Sequence, residues 1–549
     1  MAKHERSLSQ DNVLKHPSTK RAKEIDGPDN PWDELLERIE KKVDESATKP
    51  RNVLHWFRSK DLRAEDNRAL HAASLKAKEG SGTLLSCFLF SPQDLEWHGT
   101  STARTNFMLE GLRVLQAQLE GLNIPFIPLV AEERKEKGPT ILETLKKYDV
   151  SHLYANIELE VDELRRDLDL FDRLGEEAKE GVDVQFVLHH DQTVILPRTL
   201  KTGAGGPMKV FTPYHKAWLA EVAGDPSLID TLPPPQANDK SVKSSKFKDF
   251  FGQSLPEAPE SRHFASDKER DRILKELWPA GHAAGIKRLE EFFGDKISTY
   301  ATNRSTPAAD NSSRLSAYFS SGMVSVREVL SAGQKKMNGG SADFSQAGCD
   351  AGLAAWVREL VFREFYRHMM TVTPHNSLNL PQNLKYDFIE WDDDEEGWRK
   401  WCEGQTGVPF VDAGMRQLNT EAYMHNRLRM NTASYLRTNL LLDYRRGERY
   451  FAEHLVDWDL CNNTQGWEPS YTVFNPVVQA EKCDPQGDYI RRYVPELRGV
   501  KGKAVFDPYH RLSKEEFEKL GYPKPHVDFQ ESKARCIERY KQDMADAEP

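Results

Sequence analysis

The chain has 549 residues, 38% hydrophobic and 30% charged, which is too long for one ordinary domain and apolar enough for real cores. No run of eighteen apolar residues and no charged-then-apolar leader occurs, so neither a spanning helix nor a secretory signal is expected. A formal net charge of −10 argues against coating by nucleic acid through bulk charge, and six scattered cysteines without a C-x-x-C pair or an H-E-x-x-H motif read as reduced thiols, with no metal expected.

Residues 1–50 are polar and charged, carry Pro17, Pro28 and Pro31, and read as a disordered N-terminal tail, or a weakly helical one. Lys15, Lys20, Arg21 and Lys23 form a modest basic cluster of the nuclear-address kind, while Glu5, Asp11, Glu24 and Asp26 count against a transit peptide. From Asn52, short apolar runs at 53–57, 84–90, 124–130, 152–157 and 182–188 alternate with helical stretches at 103–121, 139–148 and 160–178. This alternation predicts an α/β domain over 51–190, a doubly wound parallel sheet that binds ligands at the carboxyl ends of its strands. Residues 191–270, with Gly203, Gly205, Gly206, Pro207 and the Pro233–Pro235 run, read as an interdomain connector. From 271 to 549 strand signals vanish and an all-helical domain is expected. Val411, Met415 and Leu418 mark one apolar face, and 353–372 and 421–442 carry the same period.

Charge is uneven in the helical part. Between Arg416 and Arg449 stand seven Arg against three acids, and between Glu390 and Glu396 six acids and no base, so one face is expected to meet an anion and another to repel it. Asp310-Asn311-Ser312-Ser313 before Arg314 reads as a helix N-cap or as a phosphate seat. Glu359, Arg363 and Arg367 recur every four residues. Ordinarily that is an exposed ion-pair row, but Trp356, Val361, Phe362, Phe365 and Tyr366 surround it, and charges among aromatics favour a pocket. Asn426, Arg427 and Arg429 offer an amide and two guanidiniums to a phosphate, a flavin edge or a base edge; a solvated helix face is the plain alternative. Asp457-Trp458-Asp459 followed by Asn462-Asn463 and Gly466-Trp467 reads as caps, metal ligands, or acceptors for a ribose or ring N–H.

Nine ordered blocks carry a likeness: HWFRSKDLRAEDNRAL (55–70), NIELEVDELRRD (156–167), KVFTPYHKAW (209–218), SSRLSAYFSSGMVSVREV (312–329), ELVFREFYRH (359–368), DAGMRQLNTEAYMHNRLRM (412–430), RGERYF (446–451), DWDLCNNTQGW (457–467) and FNPVVQAEKCDPQGDYIRRYVPELR (474–498). Together they resemble the photolyase/cryptochrome family, and within it the class I cyclobutane pyrimidine dimer photolyases of fungal type. The resemblance implies an α/β antenna domain followed by a helical domain that holds one FAD and binds DNA. It implies FAD contacts at Tyr300, Arg304, Ser312, Ser313, Arg314, Leu315, Ser316, Arg363, Arg429, Asp457, Trp458, Asp459 and Asn463, the last facing flavin N5. Glu359, Asn426 and Met430 match catalytic positions at the flipped-out lesion, and Glu359, Phe362, Arg363, Tyr366, Asn426, Arg427 and Gln479 match DNA contacts.

The implied reaction is light-driven: excited reduced FAD passes an electron to the dimer, the ring splits and the electron returns, the cofactor carrying the chemistry. Glu163, beside Asp162, matches an antenna contact, with 5,10-methenyltetrahydrofolate as the expected chromophore and 8-hydroxy-5-deazaflavin as the alternative. Damaged DNA as partner, a monomer, no membrane, and a nuclear destination with the mitochondrion as alternative complete the expectation. A cryptochrome-like blue-light photoreceptor with weak or no repair is the alternative function.

Three departures from the family pattern stand out. Phe362 replaces a Trp that stacks on the lesion. Between Trp467 and Phe474 the chain is short, and Glu468-Pro469-Ser470-Tyr471 stand where relatives carry a second stacking Trp. At about 1–3 kcal/mol per stacked base, affinity falls roughly tenfold to a hundredfold unless Tyr471 substitutes. Trp467 and Trp391 match the ends of an electron-transfer chain, but its middle is Tyr444, which once oxidised is expected to lose its proton and trap the hole.

Overall fold

Five strands, β1 (Asn52–Phe57), β2 (Leu84–Phe90), β3 (Phe126–Val130), β4 (Val150–Asn156) and β5 (Gln185–His189), pair in the order β3-β2-β1-β4-β5, all parallel. The computed structural model describes residues 15–41, 49–80, 82–337, 340–545 and 547–549. Successive strand side chains enter opposite cores, as the pleat requires. Val53, Phe57, Leu84, Phe88 and Phe126 face the helices Arg68–Lys78 and Thr102–Gly121. Leu54, Trp56, Leu85, Cys87 and Ile127 face Lys137–Lys147 and Val161–Lys179. Both faces are covered, so the strands are mostly apolar on both sides rather than alternating, with His55, Ser86, Ser151 and His152 as buried polar exceptions. Strand order reverses between β1 and β4, which opens a crevice at their carboxyl ends.

Two stretches depart from the sequence reading. Within the supposed tail, Thr19–Asp26 and Pro31–Glu40 are helices. Asn30 caps the second by accepting from the Trp32 N–H at 3.0 Å, and Pro31 opens its first turn, where a missing N–H costs nothing. Trp32 and Leu35 are fully buried, and this helix packs on Val161–Lys179, while Asp26 meets His375 Nδ1 at 2.7 Å. Residues 1–14 and 42–48 of the tail lie outside the described residues. Within the supposed connector, Phe211–Gly224 is a helix that buries Tyr214, Trp218 and Val222 and packs on Ala351–Val372.

The remainder is helical, and among the described residues no helix is long and apolar enough to cross a membrane. The 22-residue helix Ala351–Val372 runs through its centre. The helix expected over 421–442 starts later: Ala422 takes a left-handed φ of +53°, the His425 imidazole caps the Arg427 N–H at 3.2 Å, and the helix proper is Asn426–Ser434. The two halves meet through buried charge. Arg327 donates to Asp191 at 2.7 Å and to Asp66 at 3.1 Å, Arg63 reaches Asp191 and the Asp66 carbonyl, and Glu364 accepts from the Val194 N–H at 2.6 Å and Trp218 Nε1 at 2.7 Å.

Candidate active site

Helix Leu460–Trp467 begins at Asp459, whose carboxylate caps the Asn462 N–H at 3.0 Å. The other oxygen of Asp459 takes Arg367 from the central helix, and arginines and Lys60 hold this acid well below the usual carboxylate range despite its burial. Two residues earlier, both carboxylate oxygens of Asp457 accept from the single Nη2 of Arg429, at 2.8 and 3.0 Å. One turn into the helix, the Asn463 amide donates to the Glu448 carbonyl at 3.0 Å, which fixes its orientation. The Tyr423 ring lies between Arg429 and Arg314, 5.4 and 5.1 Å from their guanidinium carbons.

The segment Asp310–Arg314 does not N-cap the helix that follows it. Asp310 and Arg314 both take left-handed φ, near +45° and +50°, and the short helix Ser316–Ser320 beyond them starts from Leu315 with no side-chain cap. Arg314 pairs with Asp310 at 3.0 Å and Glu421 at 3.5 Å, and Ser313 accepts from Trp356 Nε1 at 3.4 Å.

A second group forms an open mouth. Arg304 and Glu359 make an ion pair across it; burial pushes the Glu359 carboxyl up and Arg304 opposes that push. Arg427 reaches Ser305 at 2.9 Å, and its Nε is buried without a partner. Asn426 and Met430 are exposed on the same helix, which packs on Pro476–Cys483, the helix carrying Gln479. Phe362 lies face to face with Phe211, centroids 3.3 Å apart, so one of its ring faces is already covered, and Tyr366 stands 6.3 Å beyond.

Not every expected residue joins these groups. The ion-pair row on the central helix is not a row, because Glu359 pairs with Arg304 and Arg367 with Asp459. Arg363 donates to the carbonyls of Gln192 at 2.8 Å and Phe319 at 3.3 Å, and burial beside Arg367 pushes its pKa down to about 9. The Trp458 ring turns toward the α/β half, onto His98 and Arg104. The Arg-rich stretch is not a free basic patch. Arg416, Arg429, Arg445, Arg446 and Arg449 each pair with an acid, and Arg437 is spent on the carbonyls of Trp467 and Glu468. Among the described residues, the Arg427 guanidinium meets only the Ser305 hydroxyl and, at 3.8 Å, the Met430 sulfur.

The short stretch after Trp467 is anchored. Glu468 accepts from the N–H groups of Gln382 and Asn383 at 2.8 and 3.1 Å, and Ser470 accepts from Arg437 at 3.2 Å. Tyr471 leans on Tyr540 and Met544 of the last helix. Trp391 and Tyr444 are in ring contact at 6.1 Å, whereas the ring contacts of Trp467 are with Phe451 and Trp401.

The crevice of the sheet is a cavity of about 140 Å³. Arg58 and Lys60 line it just past β1, and Glu158, Glu160, Glu163 and Arg166 just past β4. Trp458 and Asp459, expected at the flavin, line it as well, and Glu163 is the lining residue expected at the antenna; the signal for the others is their place after the two strands at the switch point. Asp162 is occupied by Trp97 Nε1 at 2.7 Å and Arg134 at 3.3 Å. Burial and the neighbouring Glu160 and Glu158 push Glu163 up to about 7.

Both groups that the family likeness implies can be tested against these atoms. In the crevice, Arg58 Nε and Nη1, Glu163 Oε2, Ser91 Oγ and Trp458 Nε1 are buried without hydrogen-bond partners, which suits a conjugated ring with polar edges. In the helical half, salt-bridged carboxylates at 457 and 459, a fixed amide at 463, hydroxyls at Ser312, Ser313 and Ser316, and the cations Arg304 and Arg314 suit a dinucleotide with a flavin ring.

Comparison with known proteins agrees with this division. Residues 53–236 match the family model described as DNA photolyase, and residues 356–542 the one described as the FAD binding domain of DNA photolyase. The deoxyribodipyrimidine photo-lyase of Neurospora crassa is 40% identical over 517 residues, 90% of this chain and 82% of that protein. That of Salmonella typhimurium is 32% identical over 89% of this chain and 98% of that protein. The crystal structure of a class III photolyase from Agrobacterium tumefaciens superposes with a TM-score of 0.75 at 26% identity, covering 92% of this chain and 100% of that one.

Proposed function

The chain belongs to the DNA photolyase family, and from that premise we propose how it carries out the light-driven splitting of cyclobutane pyrimidine dimers in DNA as a deoxyribodipyrimidine photo-lyase. The observation that carries the reading is the junction of two groups in the FAD-binding segment: the arginine-paired Asp457 and Asp459 with Asn463, and an open mouth bearing Asn426, Met430, Glu359 and an Arg427 that no acid among the described residues pairs with.

FAD supplies the photochemical electron when bound. Arg429–Asp457 and Arg367–Asp459 hold acceptors at fixed positions for the flavin edge and ribose, and the Asn463 amide, tied to Glu448, presents a neutral polar group beside the ring. Arg427 meets backbone phosphate or a base edge as a guanidinium without an acid partner. Flipping the dimer costs a few kcal/mol, less where its pairing is already weak. The seated dimer displaces Arg304 from Glu359, and the carboxyl hydrogen-bonds the pyrimidine with the proton on the carboxyl or on the base. For the antenna, 5,10-methenyltetrahydrofolate in the sheet crevice remains the proposal, with Glu163 as its polar anchor. Mass analysis of the chromophore released from purified protein decides it, and a deazaflavin mass overturns it.

Repair itself is tested on an oligonucleotide with one thymine dimer, with reduced protein under blue light. Restored thymines are expected in the light and not in the dark; a flavin-loaded protein that leaves dimers intact in the light refutes the reading.

A further inference from the structure

Trp467 lies beside Asn463 on one helix, and the electrons that reduce an oxidised cofactor must pass through it if the flavin sits there, a premise taken from the function proposed above. The expected route runs on through Tyr444 to Trp391. Tyr444 is 2% exposed, and its hydroxyl has no hydrogen-bond partner among the described residues. An oxidised phenol is stable only after losing its proton, and here nothing takes it. The expected proton-loss trap is therefore replaced by a barrier: a phenol radical cation whose ring lies 4.9 Å from the Arg445 guanidinium.

A second row of rings leaves Trp467. Its indole meets Trp401 edge to face at 6.2 Å, and Trp401 stacks on Trp398 at 5.4 Å with 19° between planes. Trp401 is fully buried, and its Nε1–H donates to the Thr432 carbonyl at 3.0 Å, a weak base that leaves the proton in place while its dipole favours positive charge on the ring. Trp398 is half-buried, and the guanidinium of Arg446 above it, 4.4 Å away, is neutralised by Glu395 at 2.8 and 3.1 Å.

We propose that Trp467, Trp401 and Trp398 form an electron relay by which the oxidised cofactor of this protein is photoreduced. Each electron that leaves Trp467 for the photoexcited cofactor is replaced from Trp401, then from Trp398, and Trp398 is refilled by a soluble thiol, which loses its proton to solvent and leaves as a thiyl radical that couples with another to a disulfide. One electron per step passes from thiol to cofactor, and no tryptophan is consumed. The stacked pair Trp398–Trp401 shares the positive charge between two indoles and holds it away from Trp467 long enough for the thiol to act.

The test is illumination of the flavin-loaded full chain with a thiol donor, after flavin content has been scored by absorbance. A parent protein without flavin refutes the premise and not the relay. Trp398→Phe, chosen because Trp401 is wholly buried, should bind flavin normally and photoreduce it about tenfold more slowly, the equivalent of about 1.4 kcal/mol on the barrier. A rate within about twofold of the parent overturns the relay. Illumination without thiol, followed by peptide mass mapping, gives an independent readout: oxidised Trp398 is expected, and oxidation confined to Trp391 overturns the proposal.

Discussion

The α/β half and the helical half build their sites in opposite ways. In the first, a backbone ladder brings distant segments together: Arg58 and Lys60 follow β1, Glu158 to Glu163 follow β4, and the parallel pairing sets the two strand ends side by side, so that Lys60 meets Glu160 across 100 positions. In the second, equally distant partners meet with no ladder between them: Arg304 and Glu359 are 55 positions apart, Arg367 and Asp459 92, and Arg427 and Ser305 122. A sheet positions a site by backbone hydrogen bonds, whereas a helical assembly positions it by side-chain pairs. Charges of the helical half therefore serve packing and chemistry together, and substitutions there should rarely separate the two.

The largest effect is expected where the halves meet. Arg327→Met leaves Asp66 and Asp191 buried with one cation fewer and should cost about 3–5 kcal/mol, read as a lower Tm. A loss below about 1 kcal/mol would mean that Arg63 alone satisfies both acids and that the seam is less ionic than its geometry.

Glu448 sharpens the contrast within the helical half. Burial pushes its carboxyl up to about 7, so the folded state binds that proton more tightly than the unfolded chain. Its contribution is whole below about pH 4.5 and is lost as pH rises to about 7. Across that window the stability of the parent should fall by up to about 3 kcal/mol relative to Glu448→Gln, measured as the difference between their unfolding curves. Parallel pH profiles would show that the carboxyl is solvated.

Glu359→Ala asks whether a residue of the mouth can be removed without the flavin. Losing one hydrogen bond to the dimer should lower repair yield about tenfold at unchanged flavin content. An unaltered yield removes Glu359 from its role; lost flavin shows that its pair with Arg304 is structural. The smallest effect is expected for Arg427→Gln. Dimer binding should weaken several-fold, and the slope of log affinity against log salt should drop by about 0.7–0.9. An unchanged slope would place Arg427 away from phosphate.

The strands are legible because a doubly covered parallel sheet needs apolar side chains on both faces, and the runs at 53–57 and 84–90 can serve nothing else. The helix Pro31–Glu40 is not, because its prolines suggest a tail, although Asn30-Pro31 is also the signature of a helix start. Phe211–Gly224 is hidden between glycine-rich and proline-rich segments. In the site, residue identities are legible and partners are not. Spacing pairs Glu359 with Arg363, yet the fold brings Arg304 closer and sends Arg363 to two backbone carbonyls. The seven arginines promise an anion face, and folding commits all but Arg427 to acids and carbonyls.

An α/β half followed by a helical half can be read along the chain, because periodicity is local and is written into successive residues, and the ordered motif blocks carry the family likewise. Which guanidinium meets which carboxylate, that Trp458 faces the sheet crevice, and that Trp467 touches Trp401 emerge in the folded chain alone. Those outcomes depend on the distances between chain segments remote in sequence, which no spacing along the chain encodes.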